Sequence, residues 1–345
     1  MPFRVALIGY GLAGAKFHGP LIAVEPDLQL TAIVTSNEER RAEARADHPG
    51  ARLLASAAEI WSAPDAFDLV VIAAANRAHV ALAHASIDAG VPVVVDKPLA
   101  ATATEAREVV AHARTEGVPL TVFQNRRWDG DVLTLQRLLA AGELGAVHRF
   151  ESRFERWRPE PKAGWRELGD PAEGGGVLLD LGSHLVDQAL VLFGPATHVY
   201  AELDTRRATA QVEDDAFVAI THASGVRSHL WMSAVAPDLG PRMRVLGERG
   251  AYVKHGMDVQ EDRLRTGERP DAPAWGVTPA DGHGEFVAGD ARRTVPTEPG
   301  DYTRFYAGVA AALRKEAPMP VDPADAVATL TVLDAARRSA RPPAR

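Results

Sequence analysis

The sequence predicts an α/β first third, a parallel sheet covered on both faces, followed by an α+β remainder built on a large, mostly antiparallel open sheet. Three observations carry this. Short continuous apolar runs such as Val5–Ile8, Leu69–Ala73 and Val91–Val95 alternate with helical stretches, the pattern of strands buried on both faces. From about His148 onward the strands lengthen and alternate, with Phe150, Ser152 and Phe154 on one face. The chain has 345 residues, long for one domain and comfortable for two.

In order, the first part reads as strand Val5–Gly9, a helical stretch Ala13–Val24 interrupted at Gly19-Pro20, strand Leu28–Val34 and a charged helix Glu38–Ala46. A weak strand at Leu53–Leu54, a short helix Ala57–Ser62, strand Leu69–Ala73 and helix His79–Ala89 follow, then strand Val91–Val95, helix Thr104–Glu116 and strand Leu120–Phe123. In the second part Val199–Thr205, Ala216–His222, Arg227–Ala234, Arg242–Leu246 and Ala251–His255 read as an antiparallel meander. One helix, Val177–Phe193, is inserted, Gly267–Gly284 is a surface loop, and helices Asp301–Lys315 and Pro323–Arg338 close the chain ahead of a frayed basic tail. The boundary falls near Gln124–Asp129, giving domains 1–124 and 125–345, with the terminal helix able to pack back on the first.

Apolar residues make up 46 % of the chain, and 38 basic against 46 acidic side chains leave a net charge of −8. That balance suits a soluble protein and lacks the basic footprint of a general nucleic-acid binder. The absence of cysteine excludes disulfides, thiolate nucleophiles and Cys-based metal sites. Only Met1–Arg4 precede the first apolar run, too little for a secretory signal, and no stretch reaches the length of a membrane span. The expectation is a cytoplasmic protein with no nucleic-acid or membrane partner.

The first motif is Gly9-Tyr10-Gly11-Leu12-Ala13-Gly14, after a strand and before a helix. Gly9 allows the tight turn, Gly11 lets a pyrophosphate approach the backbone, and Gly14 lets helix and strand pack closely. The helix N-terminus adds N–H groups and a positive dipole end. An NAD site usually carries an acid about 20 residues past the glycines. Here the second strand ends in Thr35-Ser36-Asn37, with Arg40 and Arg41 one turn on. A hydroxyl and an arginine suit a 2′-phosphate, so NADP is favoured over NAD. The competing reading makes Arg40 and Arg41 a solvated helix face paired with Glu38 and Glu39.

The second motif is Asp96-Lys97-Pro98 at the end of the fifth strand, where open α/β sheets bind ligands. Lys97 can stabilise developing alkoxide charge there, or be a plain surface lysine. The third is Gly174–Gly176 leading to Asp180, Gly182, His184 and Asp187. Asp180, His184 and Asp187 at i, i+4 and i+7 share a helical face, and Gly182 leaves room for something flat to approach. A carboxylate beside an imidazole suits proton transfer near neutral pH. A structural His–Asp bond is the rival. A metal site lacks a third ligand, so none is expected.

Together the three clusters resemble the glucose–fructose oxidoreductase / inositol dehydrogenase (Gfo/Idh/MocA) family. The likeness spans nearly the whole chain and includes His18, Pro20, Asn76 and His79. Two departures stand out: Asp96 where many members have Glu, and Ala74-Ala75 where a Thr-Pro pair is common. Phe123–Asp129, Phe154–Pro159, Gly164–Arg166, Gly250–Gly256 and Gln188 are similar to the branch of NADP-dependent scyllo-inositol dehydrogenases.

The resemblance implies an N-terminal Rossmann dinucleotide-binding domain and an enzyme moving hydride between NAD(P) and a secondary alcohol or ketone of a sugar or cyclitol. The nicotinamide would lie between the Rossmann crevice and the Asp180–His184 helix. His184 would take the substrate proton, Lys97 would hold the oxygen, and Asp180 would contact the substrate or tune the imidazole. Asp187 would support His184 or cap packing. Gly9–Gly14, Thr35, Ser36, Arg40, Ala74, Asn76, His79, Lys97, Trp165 and Arg166 would line the cofactor, and Asn125, Arg126, Trp157 and Arg158 the substrate. Family sheets pair face to face, implying a homodimer or homotetramer. The alternatives are a non-catalytic NAD(P)-binding sensor and a reductase of a non-sugar substrate.

Overall fold

The computed structural model describes residues 1–161 and 174–340. These form two compact units. The first draws on Met1–Asn125, Gln260–Trp275 and Asp301–Val327; the second, within the described residues, on Arg126–Val259, Gly276–Gly300 and Ala328 onward.

The first unit holds a parallel sheet of β1 (Phe3–Ile8), β2 (Leu28–Val34), β3 (Arg52–Leu54), β4 (Leu69–Ile72), β5 (Val93–Asp96) and β6 (Leu120–Phe123), ordered β3-β2-β1-β4-β5-β6. Its central strands are the continuous apolar runs, and Val5, Leu7, Val70, Val71 and Val94 are fully buried. The order reverses between β1 and β4, which opens a crevice beyond their carboxyl ends. Helices α1 (Gly19–Val24), α2 (Glu38–Asp47), α3 (Ala58–Trp61), α4 (Asn76–Asp88) and α5 (Ala103–Glu116) connect the strands. Asn37 caps α2 by accepting from the Arg40 amide at 2.9 Å. Thr102 and Glu105 form a capping box at the start of α5, and Gly117 ends it in the left-handed region at φ +67°.

The expected break at Gly19-Pro20 does not occur. A π-turn, Gly14–His18, runs directly into α1 with Pro20 in its first turn. The wider turn and the helix start accommodate a residue that has no N–H to give.

The second unit holds β7 (Val147–Glu155), β8 (Ala196–Asp204), β9 (Asp215–His222), β10 (Arg227–Ser233), β11 (Met243–Gly247), β12 (Ala251–Lys254), β13 (Gly284–Ala288) and β14 (Ala291–Val295). Their order is β14-β13-β12-β11-β7-β10-β9-β8. The expected meander is therefore interrupted: β7 lies between β11 and β10 and pairs with β10 in parallel. The β13–β14 hairpin and helix α6 (Gly130–Ala140) are further elements. The single helix expected over Val177–Phe193 is two, α7 (Val177–Asp180) and α8 (Gly182–Phe193), broken at Leu181 with φ −101°. Helix α8 lies on β7 and β10, over a buried layer that includes Phe150, Leu230 and Met232. The expected surface loop Gly267–Gly284 is pinned, with Trp275 and Thr278 buried. Helices α9 (Gln260–Thr266) and α10 (Thr303–Leu313) fall in the first unit, and most of α11 (Pro323–Ser339) in the second.

Candidate functional site

Gly9 follows β1 at φ +98°, and a Cβ there would stand 2.5 Å from the Ala73 carbonyl oxygen. Only glycine lets the end of β1 pass this close to the end of β4. A Cβ on Gly14 would collide with the Gly9 carbonyl, so helix and strand meet as closely as the motif requires. Gly11 differs. The three atoms nearest to its missing Cβ all belong to the Arg40 guanidinium, the closest at 3.7 Å. Its backbone therefore faces space that a charged side chain overlooks. Leu12 beside it is 45 % exposed. An open glycine backbone at a helix start, under a guanidinium, is a donor set that fits the phosphates of a dinucleotide.

Tyr10 contributes only backbone to this loop. Its side chain is buried, and its hydroxyl donates to Asp47 at 2.9 Å. Burial, then the Asp47 carboxylate, raises its pKa far above the ordinary tyrosine range.

At the tip of β2 the two arginines part. Arg41 Nη1 donates to the Thr35 and Leu54 carbonyls at 3.1 and 3.4 Å, with Glu38 at 3.7 Å. It is a structural side chain that braces the ends of β2 and β3, rather than a solvated member of the helix face. Arg40 instead reaches toward Gly11. Thr35 is buried and Ser36 exposed.

His79 ties the next two loops together. It is fully buried, with Nδ1 2.8 Å from the Pro98 carbonyl and Nε2 3.1 Å from that of Ala74. The ring thus ties the backbone at Ala74 to that at Pro98. Burial lowers its pKa, against the opposing pull of Asp96. Ala74 and Asn76 are half-buried beside it. The Lys97 amide donates to its neighbour Asp96 at 2.8 Å. Burial alone would raise the Asp96 carboxyl, but His18, Lys97 and His79 around it hold it below the ordinary range.

In the second unit, Gly174 and Gly176 adopt φ +76° and +91° ahead of α7. Glu213 closes this turn, a residue that the sequence does not flag because it sits in a short acidic loop without periodicity. Its carbonyl accepts from the Val177 amide at 3.0 Å and its carboxylate from that of Leu178 at 3.3 Å. A side chain at Gly176 would collide with that carboxylate. Burial pushes the Glu213 carboxyl up.

A one-residue break at Leu181, which stays in the right-handed helical region, lies between Asp180 and His184. Asp180 lies 3.7 Å from Arg156. His184 is 6 % exposed, with the Phe154 ring 6.5 Å away. Asp187 is held by Arg127 in a bidentate pair at 2.8 and 2.6 Å. The next residue, Gln188, donates to the Arg126 carbonyl and accepts from Arg242, each at 2.9 Å. Gly182 does not leave room for a flat group. Its missing Cβ would sit 3.3 Å from Leu333 and 3.4 Å from Met232, so it serves close packing.

Arg126 is 5 % exposed, with its guanidinium 4.8 Å over the Phe154 ring and 3.4 Å from Asp129. Phe154 thus stands beside both Arg126 and His184. Trp157 is 56 % exposed and bridges to Val235, and Arg158 is fixed through its amide to Ala234. Asn125 is buried at the end of the first unit. Trp165 and Arg166 lie outside the described residues.

Comparison with known proteins agrees with this architecture. Residues 3–124 match the family model described as "Oxidoreductase family, NAD-binding Rossmann fold". Residues 136–344 match "Oxidoreductase family, C-terminal alpha/beta domain". The uncharacterized oxidoreductase YdgJ of Escherichia coli is 41 % identical over 98 % of this chain and 96 % of its own. The scyllo-inositol 2-dehydrogenase (NADP(+)) IolW of Bacillus subtilis is 34 % identical over 98 % and 94 %. The structure of yvaA from Bacillus subtilis superposes with a TM-score of 0.91 at 33 % identity, covering 99 % of this chain and 97 % of that one. With both halves matched in order and relatives aligned from end to end, the chain belongs to the Gfo/Idh/MocA family of NAD(P)-binding oxidoreductases.

Proposed function

We propose that this oxidoreductase moves hydride between NADP(H) and a secondary alcohol, or the matching ketone, of a sugar or cyclitol, with scyllo-inositol the first candidate. The observation that carries the cofactor choice is Arg40 above Gly11, beside a strand tip of Thr35 and Ser36 with no carboxylate. A guanidinium and hydroxyls suit a 2′-phosphate, where an acid would suit a free ribose hydroxyl. The substrate class is supported by the full-length likeness to a scyllo-inositol dehydrogenase.

In this reading the Gly9–Gly14 backbone, Leu12 and Ala13 among it, receives the pyrophosphate, while Thr35, Ser36 and Arg40 take the 2′-phosphate. Ala74 and Asn76 border the same crevice, with His79 bracing them. When bound, the nicotinamide accepts or supplies the hydride. His184 removes the proton from the substrate hydroxyl as that carbon loses hydride, leaving a ketone. Lys97 donates to the oxygen and steadies its developing negative charge. Asp180, paired with Arg156, contacts a neighbouring hydroxyl, and Arg126, Trp157 and Arg158 line the polar substrate with Asn125. The working protein is a cytoplasmic homodimer or homotetramer joined through the second sheet.

Fluorescence titration with NADPH and NADH tests the cofactor. NADPH should bind tighter, and Arg40→Ser should weaken it by roughly 10- to 100-fold with little effect on NADH. Tighter binding of NADH by the parent overturns the choice. On whichever inositol or aldose is turned over, Lys97→Ala and His184→Ala should each lower kcat by at least about 100-fold. Undiminished turnover in either would remove that residue from the mechanism.

A further inference from the structure

His18 belongs to the π-turn Gly14–His18 that follows the glycine loop, and it is fully buried. Its ring lies 4.3 Å from that of Phe123. Nδ1 is 2.6 Å from the hydroxyl of Tyr306, a residue of α10 some 288 positions downstream. Nε2 points toward Asp96 Oδ1 at 3.8 Å and makes no hydrogen bond. Burial, then the Asp96 charge, keeps the Tyr306 phenol protonated by raising its pKa well above normal, so the hydroxyl is available as a donor. When it donates to Nδ1, the ring proton stands on Nε2 and faces the Asp96 carboxylate.

That carboxylate accepts the Lys97 amide, while His79 holds the Pro98 carbonyl. The backbone on either side of the Lys97-Pro98 bond is therefore held, by Asp96 at the Lys97 amide and by His79 at the Pro98 carbonyl. His79, by contrast, places both ring nitrogens within hydrogen-bond distance of backbone carbonyls. His18 leaves one nitrogen short of hydrogen-bond distance, directed at the residue preceding the candidate catalytic lysine. π-turns also concentrate at functional sites.

We propose that His18 is a positioning residue for Lys97, acting through the Asp96 carboxylate and held in its tautomer by Tyr306. This rests on the role given to Lys97 above. The groups facing His18 are Tyr306 from α10, Asp96 from β5 and, electrostatically, His79 from α4, with Phe123 from β6 closing the apolar side.

The test uses full-length Tyr306→Phe, which removes one hydroxyl at constant shape, and His18→Gln. In the protein without cofactor, Lys97 is acetylated with N-hydroxysuccinimidyl acetate and its rate read by peptide mass spectrometry against exposed Lys315. With the Asp96 charge no longer faced by the imidazole N–H, Asp96 holds the ammonium more firmly, and labelling of Lys97 relative to Lys315 should slow about threefold. In turnover, kcat should fall about tenfold in both variants while NADPH affinity stays within about twofold. A merely structural role would lower the melting temperature and leave the labelling ratio and kcat unchanged. An unchanged ratio in both folded variants overturns the proposal. A changed ratio, in a protein whose Lys97→Ala variant keeps full turnover, supports the coupling and instead removes Lys97 from the chemistry.

Discussion

Neighbouring residues of the same type do different work here, and burial with partners decides which. Arg40 and Arg41 are adjacent in α2, yet Arg41 is taken up by two backbone carbonyls while Arg40 overlooks Gly11. Glu213 and Asp214 are adjacent too. Glu213 meets one amide and is pushed up by burial. For Asp214, burial is outweighed by the Arg206 amide and by the amide and guanidinium of Arg207, which hold its carboxyl below the ordinary range. The Asp214 side chain is only 1 % exposed, so solvent screens these contacts little. A carboxyl held low in the fold stabilises it above the ordinary carboxylate range and loses that contribution as pH falls through its depressed value. Asp214→Asn should therefore cost about 3 kcal/mol in urea unfolding at neutral pH. The deficit should narrow as pH drops below about 4. A deficit that stays constant or widens in acid would refute the argument.

At the scale of elements, the candidate catalytic helix is held in place by side chains from distant segments. Glu213 fixes the start of α7, while Arg127 and Arg242 hold Asp187 and Gln188 on α8. The Arg127–Asp187 pair is nearly buried, at 13 % and 2 % exposure, and neutralising one partner takes the bidentate charge contact from the other. Asp187→Asn should lower stability by about 3 kcal/mol and depress kcat more than it raises KM, because His184 lies one turn earlier on the same helix. A variant with parental stability and kcat would show that the pair anchors nothing.

None of these partners is legible in the sequence, since Arg127 and Asp187 stand 60 positions apart. The break at Leu181 was hidden as well. Asp180, His184 and Asp187 have helical spacing, no proline intervenes, and the packing of Gly182 on Met232 and Leu333 appears only in three dimensions. The parallel strands were legible because both faces are buried and their sequences are apolar throughout. The β13–β14 hairpin was not, because most of its residues are exposed or half-exposed and carry no alternation. Helix α6 does carry a signal, with Val132, Leu135 and Leu138 at successive three-residue steps and all buried.

At the scale of the whole molecule, the second sheet has one face under α8 and an opposite face on which the alternate side chains of β9 and β10 emerge. On that other face Phe217, His229 and Trp231 remain half-exposed on β9 and β10. The Phe217 and Trp231 rings lie 5.1 Å apart, and the Arg153 guanidinium stands 4.0 Å from the Trp231 ring. Tyr200 on β8 is 47 % exposed. Aromatic residues and arginine together are the composition enriched in protein interfaces, and a stable contact needs about 800 Å² per partner, within reach of several long strands. The family resemblance implies pairing through this sheet, and the aromatic face is where it would occur. Light scattering coupled to size exclusion should then give a dimer or tetramer for the parent. Trp231→Glu places a charge in the middle of the face and should shift the population to monomer at micromolar concentration. NADPH binding should survive, because Arg40 and the glycine loop belong to the other unit. A parent that is monomeric at high concentration, or a Trp231→Glu variant that keeps the parental mass, would exclude this face as the site of assembly.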